Sequence, residues 1–377
     1  MALLVFGSGA TRGASFVNAA TDPCLPPLDG DFFTQLQRVR NPKHRKLIDD
    51  VLADVVGIFG HNFETTMETV FTTLEHTRRM IETTGESKHF KSKELAEISD
   101  RLKQAIAVVL EDSIADRASD GTSRQAPRIC EYHKRLVSEL LRPRDAIVSF
   151  NYDCLLDYAL KADGSHKWNA RRGYGFSLGS GGASLKGYDH WQPTDPAPEP
   201  ETIHFYKLHG SLHFYVQEST KKKAVVTFKQ RPYTKQKGKL QFTIIPPEWH
   251  KNYDAGVFPR LWKSASDAIY EAREIVVIGY SLPPTDLHST ALFRTSVKPG
   301  SLRSLVVVNP DREARKRVRS VLQRGFSRDT RVLSFDRFEH FVAASRELWD
   351  SSRASPPTTS GLKVGAGTGA AGDPAGV

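Results

Sequence analysis

Two hydrophobic rhythms share this chain. Short continuous apolar runs stand at "ALLVF" (2–6), "AIVSF" (146–150), "IHFYKL" (203–208), "FTIIPP" (242–247), "EIVVIGYS" (274–281) and "SLVVVNPD" (304–311). Runs this short, closed by glycine, proline or polar residues, predict strands buried on both faces. From about 33 to 141 the period lengthens to that of a helix. "LIDDVLADVVGIF" sets Leu47, Ile48, Val51, Leu52, Val55 and Val56 on one face. "LAEISDRLKQAIAVVLEDSI" does the same with Leu95, Ile98, Leu102, Ile106, Val109 and Leu110. No strand candidate lies inside that block. Two further helical patterns, "LWKSASDAIYEA" and "DLHSTALFRTSV", separate the last strands. The alternation predicts an α/β fold, a doubly wound parallel (Rossmann-like) sheet with a large helical insertion after the first strand.

Composition narrows the picture. At 377 residues and 39% apolar the chain can bury a large core. We read one domain over 1–351, with an irregular Gly/Ser/Pro-rich excursion at 165–200. The stretch 352–377 has almost no large apolar residue and reads as a disordered tail. A net charge of +10 favours anionic partners. Eight of the basic residues fall between Lys221 and Lys239, where no acidic residue occurs. That run reads either as a solvated loop or as a nucleic-acid surface. The three cysteines, Cys24, Cys130 and Cys154, are too scattered for a disulfide framework or a four-cysteine zinc site, so no metal is expected. The apolar start lacks a basic lead, and no run approaches the roughly 20 residues of a membrane span. A cytoplasmic protein is the expectation.

The chemistry gathers where strands end. In an open parallel sheet, ligands bind beyond the carboxyl ends of the strands. "GSGATRG" follows the first strand with Gly7, Gly9 and Gly13, where a chain without Cβ atoms can bring its amides against a phosphate. A tight turn would use the same glycines, and the spacing is not that of a dehydrogenase fingerprint. Asp29 and Asp31 lie at the distance of a ribose-binding acid, but in a loop that runs into helix, with no second strand before 146. The other ends present Asn151 and Asp153 in "NYD", His209 in "KLHGS", Gly279 and Ser281 in "GYSL", and Asn309 and Asp311 in "VVNPD".

This order of motifs resembles the sirtuin superfamily across about residues 3–312. "GSGAT" is similar to that family's Gly-Ala-Gly-x-Ser turn, with Thr11 in place of serine. "NYD" stands for Asn-Ile-Asp, "LHGS" carries the family histidine, and "GYSL" stands for Gly-Thr-Ser-Leu. "PLDGDFF" echoes the Pro-Asp-Phe-Arg segment through Asp31 and Phe32, without the arginine. Residues 210–280 hold no cysteine, so the four-cysteine zinc module of the deacylases is missing. Together with the long helical block, this looks more like the sirtuin-like NAD hydrolases of bacterial phage-defence systems.

That resemblance implies cleavage of NAD, as substrate, to ADP-ribose and nicotinamide. It implies a ring-shaped homo-oligomer that a HerA-type hexameric ATPase caps. By the same resemblance Asn151 positions ribose or water, Asp153 meets the nicotinamide carboxamide and His209 is the base. The binding set is Gly7, Ser8, Gly9, Ala10, Thr11, Arg12, Asp31, Phe32, Gly279, Ser281, Asn309 and Asp311. Each has a plainer reading: a packed histidine for His209, a helix cap for Asp153, solvated strand ends for Ser281 and Asn309. His213, without matching context, reads as packing. A module that senses a nucleotide or ADP-ribose without chemistry, or a deacylase, are the alternatives.

Overall fold

The strand Ala2–Phe6 (β1) is apolar at all five positions, and none is more than 1% exposed. A strand with no polar face must have neighbours on both edges and helices above and below. The computed structural model of the protein describes residues 1–85, 89–117, 123–164, 167–176, 202–218, 224–228, 235–236, 239–248 and 253–353. In it β1 pairs in parallel with Ala146–Ser149 (β2) on one side. On the other it pairs in parallel with Glu274–Ile278, which is β4 below. His204–Lys207 (β3) extends the first side. Leu302–Val308 (β5) and Phe326–Phe335 (β6) extend the second. The order is β6-β5-β4-β1-β2-β3, all parallel, which is the doubly wound order with its reversal between β1 and β4.

Twelve helices accompany the sheet among the described residues: α1 Ser8–Arg12, α2 Phe32–Arg38, α3 Arg45–Phe59, α4 Met67–Thr84, α5 Ser92–Ile114, α6 Glu131–Arg135, α7 Leu155–Asp163, α8 Ala170–Gly173, α9 Phe258–Glu271, α10 Leu287–Ser296, α11 Arg312–Leu322 and α12 Phe338–Arg353. One face is covered by α9, α10 and α11, the other by α6, α7 and α12. Helices α2 to α5 form the expected insertion. They have a hydrophobic core of their own, which also takes in Leu212, Phe242 and Ile244. All six residues singled out on α5 are buried, whereas only Ile48, Val51 and Val55 of the α3 set are.

Four expectations need correction. "FTIIPP" is not a strand of the parallel sheet: Thr243–Ile244 pairs antiparallel with Gly210–Ser211 and joins the insertion's core. The block 33–141 holds a small antiparallel pair, Ala115–Arg117 with Ser123–Pro127, where the helical period stops. The "GSGATRG" turn is itself the start of a helix, α1. The sixth strand, β6, escaped notice because three charged residues interrupt its apolar pattern. The basic stretch 221–239, the excursion 165–200 and the tail after 353 lie largely outside the described residues.

At the reversal the backbones of two turns touch. Gly9 N donates to Gly279 O at 2.9 Å, and Gly7 N donates to Ile278 O at 3.0 Å. A Cβ on Gly9 would lie 2.8 Å from Gly279 O, and one on Gly7 would lie 2.5 Å from Tyr280 Cα. Gly279 has φ +63°, and a Cβ there would overlap Ala10 N. Gly279→Ala therefore combines a left-handed backbone with a backbone clash and should lose more than about 3 kcal/mol of stability in chemical denaturation. Gly57→Ala, on the exposed face of α3 with nothing within 4 Å of the new Cβ, should instead gain about 0.5–1 kcal/mol. Equal effects at the two sites would contradict this account of the turn.

Candidate functional site

A cleft of about 990 Å³ opens at the carboxyl edge of the sheet and takes lining residues from all six strand ends. The loop after β1 supplies Gly7, Ser8, Gly9 and Arg12. Asn151 follows β2, His209 follows β3, Gly279 and Ser281 follow β4, and Asn309 and Asp311 follow β5. Asp336 and Arg337, after β6, complete the row and were not anticipated. The insertion closes the cleft from above with Phe32, Met67, Glu68, Ile106 and Leu110.

Four residues expected at the site do not line it. Ala10 is fully buried on the inward face of α1. Asp31 turns aside to pair with Arg12 and accepts from Leu28 N at 2.7 Å. Thr11 and Asp153 are 2% and 6% exposed and bond to each other, Thr11 Oγ1 donating to Asp153 Oδ2 at 2.7 Å. The other Asp153 oxygen accepts from Leu155 N at 3.0 Å, the capping role that the sequence also allowed. The glycine amides differ from expectation as well. Those of Gly7 and Gly9 are engaged by β4 and its turn, so the exposed Ser8 and the half-buried Arg12 are the polar groups this loop offers a ligand.

Asn151 is held from behind. Its Nδ2 donates to Gly7 O at 3.0 Å and to Thr11 Oγ1 at 3.2 Å. Gly7 O can only accept, so the amide orientation is fixed by chemistry. Thr11 therefore accepts from Asn151 and donates to Asp153, a relay with one direction. Asn151 Oδ1 is buried and has no hydrogen-bond partner among the described residues. A buried acceptor left without a donor costs about 1–3 kcal/mol, which a ligand hydroxyl or water recovers.

His209 sits in an aromatic wall. Phe150 meets it edge-on at 5.0 Å between ring centroids and stacks on Tyr280 at 4.2 Å. Tyr253 stacks on its other side at 6.3 Å and places its hydroxyl 3.2 Å from Nε2. Burial raises the Tyr253 pKa, so this phenol keeps its proton within hydrogen-bond reach of the imidazole.

Behind this wall lies a buried polar network that pattern reading passed over. Lys207, the last residue of β3, pairs with Asp157 of α7 at 2.8 Å, both side chains 1% exposed. Tyr174 Oη donates to Asp157 at 2.6 Å, and Lys207 Nζ also donates to Asp153 O at 2.5 Å. Burial works against the ammonium, but Asp157 outweighs it, and the Lys207 pKa is raised. Cys154 Sγ lies 2.8 Å from His213 Nδ1, whose ring reaches Asp157 at 3.7 Å. The three resemble a nucleophilic triad, yet burial pushes the thiol up, and burial with Lys207 pulls the imidazole down. The thiol keeps its proton and the group is structural, in line with the packing role read for His213. Among the described residues no group of three or more His, Cys, Asp or Glu is placed to hold a metal ion, and no helix is long and apolar enough to cross a membrane.

Residues 145–327 match the family model of the SIR2-like domain. The matched SIR2-like span contains Asn151, His209, Gly279, Ser281, Asn309 and Asp311, and it begins after β1 and the insertion. No curated protein matches the chain. Among solved structures, a chain described as a mutant of Sir2 homologues in complex with 2'-O-acetyl ADP ribose is similar at 10% identity. The likeness covers 71% of this chain and 84% of that one at a TM-score of 0.35, too loose to carry an argument.

The network makes a stability prediction. Lys207→Met leaves Asp157 charged and buried, and should cost about 3–5 kcal/mol in denaturant unfolding. Adding Asp157→Asn removes the orphan charge and should restore part of the loss. A double variant as unstable as the two single losses added together would show that the pair is not coupled.

Proposed function

We propose that the chain hydrolyses NAD to ADP-ribose and nicotinamide. The observation that carries this reading is the pair Asn151 and His209, on neighbouring strand ends of one cleft, one offering an unpaired neutral acceptor and the other an oriented imidazole. NAD's glycosidic bond joins a ribose carbon to a cationic nicotinamide, which leaves as a neutral base, so no acid is required at the leaving nitrogen. The reacting carbon becomes oxocarbenium-like. Water then adds to it and loses one proton, and NAD plus water becomes ADP-ribose, nicotinamide and that proton.

Asn151 Oδ1 accepts from the attacking water or a ribose hydroxyl without placing a charge beside the carbon. His209, an imidazole and so of the side-chain type most often used as a general base, accepts the released proton. Ser8 and Arg12 take the pyrophosphate, and Ser281, Asn309 and Asp311 the adenosine side. The SIR2-like match supports an NAD-related activity, and the lack of cysteine between 210 and 280 favours hydrolysis over deacylation. On the resemblance stated above, NAD depletion serves phage defence, as a homo-oligomer gated by a HerA-type ATPase.

Asn151→Ala and His209→Ala should each lower nicotinamide release on the order of 10²–10⁴-fold while the protein stays folded. Near wild-type turnover in either variant removes the assignment. The relay gives a finer test. Thr11→Val keeps the shape but loses the hydroxyl that orients Asn151, and should lower kcat about tenfold with KM little changed, the worth of one hydrogen bond. Thr11→Ser restores the hydroxyl and should restore the rate. A Thr11→Val enzyme that changes only in KM would place Thr11 against the substrate instead.

A further inference from the structure

The positive charge of this chain is concentrated. Residues 294–331 carry eleven Lys and Arg against three Asp and Glu, a net +8 out of the +10 of the whole chain. Nine of the eleven are arginines. Two of these serve the cleft rim, Arg315 donating to Asn309 O and Arg317 to Ser281 O. Five others, Arg303, Arg319, Arg324, Arg328 and Arg331, are exposed, and none is paired with a carboxylate among the described residues.

The fold gathers these five at the far side of the sheet from the cleft. Helix α11 starts at the carboxyl edge and runs back, so Arg319 lies toward the amino edge and Arg324 in the turn that ends there. Gly300 N donates to Arg324 O at 3.1 Å, which joins that turn to the start of β5 and Arg303. Arg331 on edge strand β6 sits opposite Ser304, the residue after Arg303, so the two arginines lie at the same end of neighbouring strands and project to opposite faces of this edge. Between the pairs Leu302–Phe326 and Ser304–Arg331 the register shifts, and residues 327–330 bulge out. Ser327 N donating to Thr330 Oγ1 and Thr330 Oγ1 donating to Leu302 O, both at 2.7 Å, hold the bulge, with Arg328 at its tip.

Guarding an edge strand against aggregation needs one or two charges of either sign. It does not need five arginines continuing onto the neighbouring helix. Of the three acidic residues in 294–331, Asp311 and Glu313 stand at the start of α11 near the cleft, and only Asp329 lies beside the five arginines. None of the exposed large apolar side chains falls within 294–331, so the strip lacks the anchors that make a protein–protein hot spot. No exposed aromatic ring falls within 294–331, and the single ring of Tyr270 beside it already lies under Lys298 Nζ at 5.2 Å, so a row of rings on which single-stranded bases would stack is missing among the described residues. What remains is a planar, bidentate phosphate-binding chemistry repeated along one edge.

We propose that this arginine strip binds the phosphate backbone of duplex nucleic acid, without regard to sequence. The strip shares no residue with the 221–239 stretch and faces away from the cleft, so binding and NAD chemistry are separable.

The test is fluorescence anisotropy with two labelled DNA duplexes of unrelated sequence, across a salt series. Both should bind alike, with log affinity falling against log salt at a slope of about −4 to −5, as five phosphate contacts require. The triple variant Arg319→Glu/Arg324→Glu/Arg328→Glu should lose more than tenfold in affinity and flatten the slope by about 3. The milder Arg319→Gln/Arg324→Gln/Arg328→Gln variant should show the same trend. Its circular dichroism and thermal melt should match the wild type, since the three side chains are exposed. No binding at low salt, or unchanged binding by both variants, overturns the proposal. Polyglutamate bound as tightly and lost in the same variants would assign the strip to an acidic protein partner and overturn it equally.

Discussion

The contact of Gly7 and Gly9 with the Gly279–Tyr280 turn is the constraint on which the site depends. It lies between β1 and β4, where the strand order reverses and the two halves of the sheet wind in opposite senses. Backbone against backbone, with no side chain between, the two turns approach closely enough to exchange amide bonds. That approach aims α1 across the ends of the strands. Thr11 then reaches Asp153, Gly7 O meets Asn151, and Arg12 stands at the cleft rim. A side chain at any of the three glycines would push α1 outward and release this set together.

Much of this was legible because parallel strands are simple to read. β1, β2, β4 and β5 are continuous apolar runs, and a run that stops on Asn, Gly or Ser announces a ligand edge. What pattern could not supply was depth. Thr11 and Asp153 carry the residue types of a binding site, but their side chains point at each other under α1. Lys207 drew no reading inside "IHFYKL" and is buried charge, because α7 brings Asp157 to it. β6 was hidden by its charged residues, which break the apolar run although Arg331 and the residues after it pair with β5. "FTIIPP" has the apolar density of a core strand, and it does enter a core, but that of the insertion.

Charge is sorted by depth. Asn151 and His209 stand among aromatic rings, an amide and an imidazole without a fixed charge, which under the proposed hydrolysis suits a cationic substrate that becomes a neutral product and a proton. The fixed Lys207–Asp157 pair lies one layer behind, where it locks β3 to α7 and ties down the backbone of Asp153. The insertion supplies the cover. Glu68 accepts from Thr285 Oγ1 at 2.5 Å, and Glu68 N donates to Asp29 at 2.8 Å, so α4 is pinned to both the sheet and the loop before α2. A long helical block after the first strand thus becomes the roof of a nucleotide-sized cleft.

The most direct measurement is chromatography of purified chain incubated with NAD alone. The account predicts nicotinamide and ADP-ribose in equal amounts, with no acylated peptide present. NAD recovered intact from a saturated complex would make the cleft a sensor. Nicotinamide released only when an acylated peptide is added would make it a deacylase. Either result contradicts the hydrolytic reading.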